Sequence, residues 1–269
     1  MSGKPFSLAT WNINSVRLRI GIVEEFLQSH QPDVLCLQEI KCQNDQFPAK
    51  NFRKLGYEHI AVHGQKGYHG VATVSKVPLS ENRSIDFCGK GDTRHLETVL
   101  ETAQGKMRIH NFYVPAGGDI PDPAKNEKFR HKLDFLDEMK SMKSVENDVP
   151  QILVGDLNIA PLETDVWSHK QLLKVVSHTP IETETLTDIM QRGEWIDTMR
   201  QHIPADEKLY TWWSYRSPNW DASDKGRRLD HVWAAPQVAD RLHSVEVLRH
   251  ARGWEKPSDH VPVIANFKF

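Results

Sequence analysis

Ten short runs with the look of β-strands recur along the chain: SLATWNI, DVLCLQE, YEHIAVH, GVATVSK, HLETVLE, MRIHNFYV, QILVGDL, LDHVWAA, SVEVLR and HVPVIANF. They are rich in β-branched residues, several alternate, and turn formers separate many of them. Only three stretches carry a helical period. Residues 17–29 place Leu18, Ile22 and Phe26 four apart, with Val23 and Leu27 alongside. Residues 124–143 repeat the pattern with Phe129, Leu133 and Leu136 after a Pro-rich entry, and a weaker pattern covers 163–173. So many strands for so few helices argue against a doubly wound α/β fold. Two packed sheets with helices outside fit the pattern, as a single domain.

Bulk properties narrow the class further. The chain has 269 residues, 39% apolar and 26% charged, which is enough for a large core and excludes a disordered protein. No repeat, low-complexity segment or Pro/Gly/Ser linker marks a boundary. Residues 1–5 are therefore expected as a flexible N-terminus and 6–269 as one catalytic domain. Residues 119–123 and 217–226 read as surface loops. No apolar run approaches the ~20 residues that span a bilayer, and the opening MSGKPFSLATWN has no signal-peptide core. Cys36, Cys42 and Cys88 lack a disulfide framework and read as free thiols of a reducing cytoplasm. With no apolar stripe asking for a partner, a monomer is the default. The net charge of −2 means that any nucleic-acid surface must be local.

Polar residues fall where strands stop. Asn12 and Asn14 end the first run, Gln38 and Glu39 the second, Asn111 and Tyr113 a third, and Asp156 and Asn158 a fourth; Asp230 and the pair Asp259–His260 open two more. Each alone reads as readily as a turn, a cap or a salt-bridge partner, and Pro257, Ser258 and Asp259 are ordinary turn residues. Together they suggest one cleft, in which several carboxylates repel unless a cation joins them. The available ligands are oxygens, with no Cys or His pair at zinc spacing, so Mg²⁺, Mn²⁺ or Ca²⁺ fits better than zinc. No EF-hand loop is present, and Mg²⁺ commonly shares its shell with phosphate oxygens, which points to a phosphate substrate. GxxxxGK[ST], a strand-linked GxGxxG, GxSxG and HExxH are all missing. P-loop nucleotide hydrolysis, dinucleotide binding, serine hydrolysis and zinc proteolysis lose support accordingly.

Seven blocks in order carry a resemblance: TWNINSVR (10–17), PDVLCLQEIK (32–41), GQKGYHGVA (64–72), HNFYVPAGG (110–118), LVGDLNIAP (153–161), RRLDHVWA (227–234) and KPSDHVPV (256–263). Together they resemble the signature blocks of the exonuclease III family of apurinic/apyrimidinic endonucleases, within the Mg²⁺-dependent endonuclease/exonuclease/phosphatase group. The resemblance implies an α/β fold, a four-layer αββα sandwich of two packed mixed sheets flanked by helices. It implies Mg²⁺, with Mn²⁺ as a substitute, held chiefly by Glu39, with Asn12 and Asp259 beside it and Asp156 and Asn158 close enough to share it. Asp156 is expected to orient or deprotonate the attacking water, and Asn158 to donate to that water or to a phosphate oxygen. His260, oriented by Asp230, is expected at the scissile phosphate, and Tyr113 at the phosphate or the leaving group.

The expected substrate is double-stranded DNA with abasic sites or 3′ ends, cut 5′ to the lesion or trimmed by 3′–5′ exonuclease action, in a bacterial-type cytoplasm near the nucleoid. KLYTWWSYRSPNWDASDKGRRLDHVW (208–233) interleaves aromatics with cations, a pattern suited to unstacked bases, sugars and phosphates. Trp213 and Tyr215 read equally well as core. By resemblance, Trp212 and Leu229 line a pocket for a flipped-out abasic sugar. Lys66, Tyr68 and His69 are candidate phosphate contacts. Two departures stand out: Arg227 replaces an aromatic pocket wall of some family members, and Ala116 an amide. Two rival readings keep the fold: a phosphodiesterase for lipid, inositol phosphate or RNA, and a nucleic-acid-binding scaffold with a dead site.

Overall fold

The computed structural model describes residues 5–102 and 105–269. Of the expected flexible N-terminus, residues 1–4 lie outside the described residues. Strand β1 (Phe6–Asn12) pairs in parallel with β2 (Val34–Gln38) at the centre of a six-stranded sheet. Antiparallel β15 (Val263–Phe267) and β14 (Leu242–Val247) extend it beyond β1, and β4 (Tyr68–Ser75) and β3 (His59–Gln65) beyond β2. The second sheet repeats the plan around the parallel pair β7 (Gly105–Tyr113) and β9 (Val149–Asp156). There β13 (Asp230–Ala234) and β10 (Ile196–Asp197) follow β9, while β6 (His95–Thr102) and β5 (Leu79–Arg83) follow β7. Short β8 (Val145–Glu146) pairs with the start of β9, and β11 (Trp212–Trp213) with β12 (Gly226–Arg227) makes a separate ribbon. All ten runs read as strands are strands.

Alternation along the central strands decides what each face buries. Leu8, Val34, Cys36, Ile109, Ile152, Val154, Val232, Val263 and Phe267 form one buried cluster that joins the two sheets. Their sequence neighbours face outward. Ala9, Trp11, Leu35 and Leu37 pack with Ile22, Val23, Phe26 and Leu27 of the helix Ile20–His30. On the other sheet Phe112, Leu153 and Trp233 pack with Phe135, Leu136 and Met139 of the helix Glu127–Met139 and with Leu186 and Ile189 of the helix Pro180–Arg192. Each buried Leu, Val or Phe is worth about 1.5–3 kcal/mol, so these clusters carry the layering. The result is the αββα sandwich expected from the sequence.

The helices depart from expectation in three places. Residues 163–173 hold a 3-10 turn, Glu163–Asp165, and a single helical turn, His169–Leu172, instead of a helix. The loop 217–226 contains the short helix Trp220–Ser223. The 13-residue helix Pro180–Arg192 was not anticipated, because buried Glu182 interrupts its apolar face. Cys36, Cys42 and Cys88 are unpaired thiols, and burial pushes Cys36 up to about 12. Among the described residues no helix is long and apolar enough to cross a membrane.

Candidate active site

Toward one edge of the sandwich the inward positions turn from apolar to polar. The sequence runs Leu8, Thr10, Asn12 on β1; Val34, Cys36, Gln38 on β2; Ile109, Asn111, Tyr113 on β7; and Ile152, Val154, Asp156 on β9. Strand β13 runs the opposite way and starts there, with Asp230 opposite Asp156. One amide rung separates core from cleft. Gln38 Nε2 donates to Thr10 Oγ1 at 2.9 Å and, across the sheets, to Asn111 Oδ1 at 2.8 Å. Asn111 Nδ2 donates to the carbonyls of Leu37 and Ala72 at 3.2 and 3.0 Å. Buried amides are costly unless so bonded, and this gives Asn111 and Gln38 a structural task.

Beyond the rung the carboxylates meet. Asn12 Nδ2 donates to Glu39 Oε1 at 3.0 Å and to Asp156 Oδ2 at 2.9 Å, clamping one carboxylate from each sheet. Its own oxygen accepts from the Asn14 backbone at 3.1 Å. Tyr113 Oη donates to Glu39 Oε1 at 2.8 Å, and the Lys41 ammonium lies 2.8 Å from Glu39 Oε2. Burial would raise Glu39, but Lys41, Asn12 and Tyr113 together hold it below the usual range. Asn158 donates from its backbone to Asp156 Oδ1 at 2.9 Å and from its amide to Asp156 Oδ2 at 3.2 Å and the Val114 carbonyl at 2.9 Å. A bond from Asn158 to phosphate therefore requires one of these to be exchanged. Asn14, Glu39 and Asn158 all hold left-handed backbone, φ 47°, 49° and 54°, the strain that collects where side chains must be aimed.

His260 sits between two carboxylates. Its Nδ1 is 2.8 Å from Asp230 Oδ2, which also accepts from Thr211 Oγ1 at 2.6 Å, and its Nε2 is 3.6 Å from Asp156 Oδ2. Burial would lower the imidazole, but Asp230 and Asp156 outweigh it and hold His260 up at about 10. Burial pushes Asp156 up to about 7, with His260 opposing and Asp230 and Glu39 adding to the rise. A carboxylate poised near neutrality suits proton transfer from water. Burial, then Glu39 and Asp156, drive Tyr113 well above the phenol range, so it remains a donor.

These groups line a cavity of about 260 Å³ together with Trp212, Arg227, Leu229 and Asp259. Asp259 accepts from Trp212 Nε1 at 2.9 Å and Asn14 Nδ2 at 3.3 Å, which ties the cleft to its aromatic wall. A larger groove of about 750 Å³ continues outward past Trp212, Tyr215, Arg216, Lys225 and Arg227. Trp213 is buried core, whereas Tyr215 is 46% exposed. The structure does not bring Lys66 and Tyr68 into the cavity: Lys66 is exposed between β3 and β4, and Tyr68 borders a neighbouring pocket with Lys90, Arg94 and Lys128. His69 is buried, its Nε2 2.6 Å from Arg94 Nη2. Lys41, Thr211 and Ser258, whose hydroxyl donates to the Asn12 carbonyl at 2.6 Å, were not assigned from the sequence. Lys41 was detectable as the cation two residues past Glu39.

A divalent cation fits this donor set. The acceptors are carboxylate oxygens, which suit a hard ion, and Glu39 already draws one ammonium onto Oε2. Asp156, Asp230 and His260 also place three ligand-type atoms within 4.8 Å of one another. Asp230 and His260 are spent on each other, however, which favours Glu39 as the principal ligand. Asp230 Oδ1 remains buried without a hydrogen-bond partner.

Comparisons with known proteins bear on the family and the fold. The model of the Endonuclease/Exonuclease/phosphatase family matches residues 9–260. The chain is 32% identical to exodeoxyribonuclease III of Haemophilus influenzae, covering 96% of this chain and 98% of that one. It superposes on an AP endonuclease from Archaeoglobus fulgidus with a TM-score of 0.89 and 32% identity, over 98% of this chain and 100% of that one. A 3′ phosphatase from Neisseria bound to a product DNA hairpin gives 0.84 at 29% identity, over 98% and 100%. The chain belongs to the Endonuclease/Exonuclease/phosphatase family.

Proposed function

We propose that the protein is a divalent-metal-dependent DNA-repair nuclease that hydrolyses the phosphodiester 5′ to abasic sites in duplex DNA. It also removes blocking groups or nucleotides from 3′ ends. The observation that carries this reading is the clamp of Asn12 on Glu39 and Asp156, beside the His260–Asp230 pair. Its relatives, an exodeoxyribonuclease III, an AP endonuclease and a 3′ phosphatase, support the same chemistry. The proposed working unit is residues 6–269 acting as one monomeric domain, within which Asn12 of one sheet reaches Asp156 of the other.

In this reading Glu39, with Asp156 and Asp259 and the flanking amides of Asn12 and Asn158, holds Mg²⁺ or Mn²⁺. When bound, the ion supplies Lewis-acid stabilisation of phosphate charge. Asp156 takes the proton of the attacking water, and Asn158 holds that carboxylate in place. His260, kept cationic by Asp230, donates to a phosphate oxygen, and Tyr113 donates toward the leaving 3′ oxygen. Trp212, Leu229 and Arg227 receive the extruded sugar, which is easiest to flip where no base must be unstacked.

A labelled duplex with one abasic site, with Mg²⁺, with EDTA and with an undamaged control, tests this. Incision on the 5′ side, abolished by EDTA and reduced about 10²–10⁴-fold by Asp156→Asn, is expected. Binding without incision would reveal a dead scaffold, and neither binding nor cutting would redirect the fold to another phosphodiester.

A further inference from the structure

Residues 119–123 read as a surface loop in the sequence, and no step above uses them. In the structure they belong to a braced projection beside the reactive cavity, whose wall includes Gly118. Gly118 turns the chain there with φ +70°. Asn126 Nδ2 donates to the carbonyls of Gly117 and Ile120 at 2.8 and 2.7 Å. The Asp122 carbonyl accepts from the Lys125 and Asn126 backbones at 3.1 and 2.9 Å. Between these anchors the tip carries Asp119 and Ile120, both exposed, Ile120 by 53%. A large apolar side chain held out rigidly at the rim of a nucleic-acid groove suits the face of a base.

Asp119 is the anomaly. It lines the groove of about 750 Å³ in company with the cations Arg216, Lys225 and Arg227. The other carboxylate of that groove, Asp259, is taken up by Trp212 and Asn14. The Asp119 side chain makes no hydrogen bond or ion pair among the described residues. A free carboxylate repels a phosphate backbone, so this rim is suited to base edges instead. There it can only accept, and its two oxygens match two adjacent N–H donors in parallel. Guanine alone among the four bases presents such a pair on its pairing edge, N1–H and N2–H. Adenine and cytosine set one amino donor beside a ring acceptor, and thymine sets one donor between two carbonyls.

On the nuclease reading above, on which this inference rests, we propose that Asp119 reads the base opposite the lesion and favours abasic sites that face guanine. Drawing the abasic sugar into the cavity leaves the opposite base without a partner and its pairing edge open. Asp119 stands one residue beyond Gly118 of the cavity wall, on a tip that needs no rearrangement to meet that edge. Its carboxylate accepts from guanine N1–H and N2–H while Ile120 covers apolar surface beside it. Sites of this kind follow the excision of a base that was paired as cytosine, since guanine stays behind in the other strand.

The test uses the full chain with Mg²⁺ and four duplexes that differ only in the base opposite one abasic analogue. The wild type should incise the guanine duplex with a kcat/KM about three- to tenfold above the others, a modest factor because the carboxylate is exposed. D119A removes both acceptors and should level the four rates, whatever stacking each opposite base contributes by itself. D119N replaces one acceptor with a donor, the pattern that matches adenine or cytosine, and should lose the guanine preference and gain on those two. Equal wild-type rates on the four duplexes, a wild-type preference for another base, or a guanine preference that D119A leaves intact overturns the role of Asp119. Failure to incise any of the four overturns the nuclease reading itself.

Discussion

Lys41 shows how much of the cleft's electrostatics one unassigned side chain carries. Its ammonium lies 2.8 Å from Glu39 Oε2 and 2.5 Å from Asn14 Oδ1, where it offsets the charge of the carboxylate proposed above to hold the metal and competes with a cation for it. Replacing it with Met removes the competitor and leaves Glu39 more attractive to a divalent ion. The Mg²⁺ concentration for half-maximal activity of Lys41→Met should fall roughly two- to fivefold, a modest change because the pair is partly exposed. A magnesium titration of variant and wild type decides this, and a rise in the requirement would contradict it. The sequence could supply the charged groups at this scale, since Glu39, Asp156, Asp230 and His260 fall at strand ends. It could not supply who holds whom. The clamp of Asn12 and the hold of Thr211 on Asp230 join residues 144 and 19 positions apart.

At the scale of elements, two devices position the site. Strands β7 and β9 approach so closely that Gly155 has φ +130° and an added Cβ would lie 2.0 Å from the Phe112 carbonyl oxygen. Gly155→Ala should therefore cost about 3 kcal/mol or more, read as a lower denaturant midpoint. An unchanged midpoint would mean that the pair can part. The second device is the buried pair Lys132–Glu182, 2.6 Å apart, which links the helices Glu127–Met139 and Pro180–Arg192. Lys132 also donates to the Asn158 carbonyl at 2.8 Å, and Glu182 accepts from the Ser177 backbone at 2.9 Å. Lys132→Met should cost about 3–5 kcal/mol by stranding a buried carboxylate. Adding Glu182→Leu should return only part of that stability, because the Ser177 and Thr179 donors lose their acceptor, and none of the turnover, because the loop of Asn158 stays untethered; melting curves and kcat on both variants separate the two effects. This pair also explains the helix that the sequence hid. The inward Glu182 breaks the apolar period, although Thr179 and Glu182 spell a capping box and Pro180 stands at the first helical position. The strands, by contrast, were legible because alternation marks them one by one.

For the whole molecule, acid is the predicted weakness. His95, His110 and His231 are buried, and burial first, with neighbouring positive groups, lowers all three; His110 and His231 lie at about 4. Unfolded, each titrates near 6.5, so between about 6.5 and 4 the unfolded chain binds more protons and stability falls as pH falls. His110 and His231 each contribute up to roughly 3 kcal/mol that is present above pH 6.5 and gone below 4, and His95 acts in the same direction. Denaturant midpoints across that window should drop steadily, and a flat profile would contradict it. Nor could sheet membership be read from strands taken singly. Strand β1 lies between β2, next but one in sequence, and β15 near the far end, with Phe6 opposite Phe267. That pairing has a consequence during synthesis. Until residues 263–267 emerge, β1 lacks one of its neighbours, and until His260 emerges Asp230 and Asp156 lack the group between them. A chain that has not yet extruded residues 260–267 thus holds its carboxylates without the arrangement that makes them a tool.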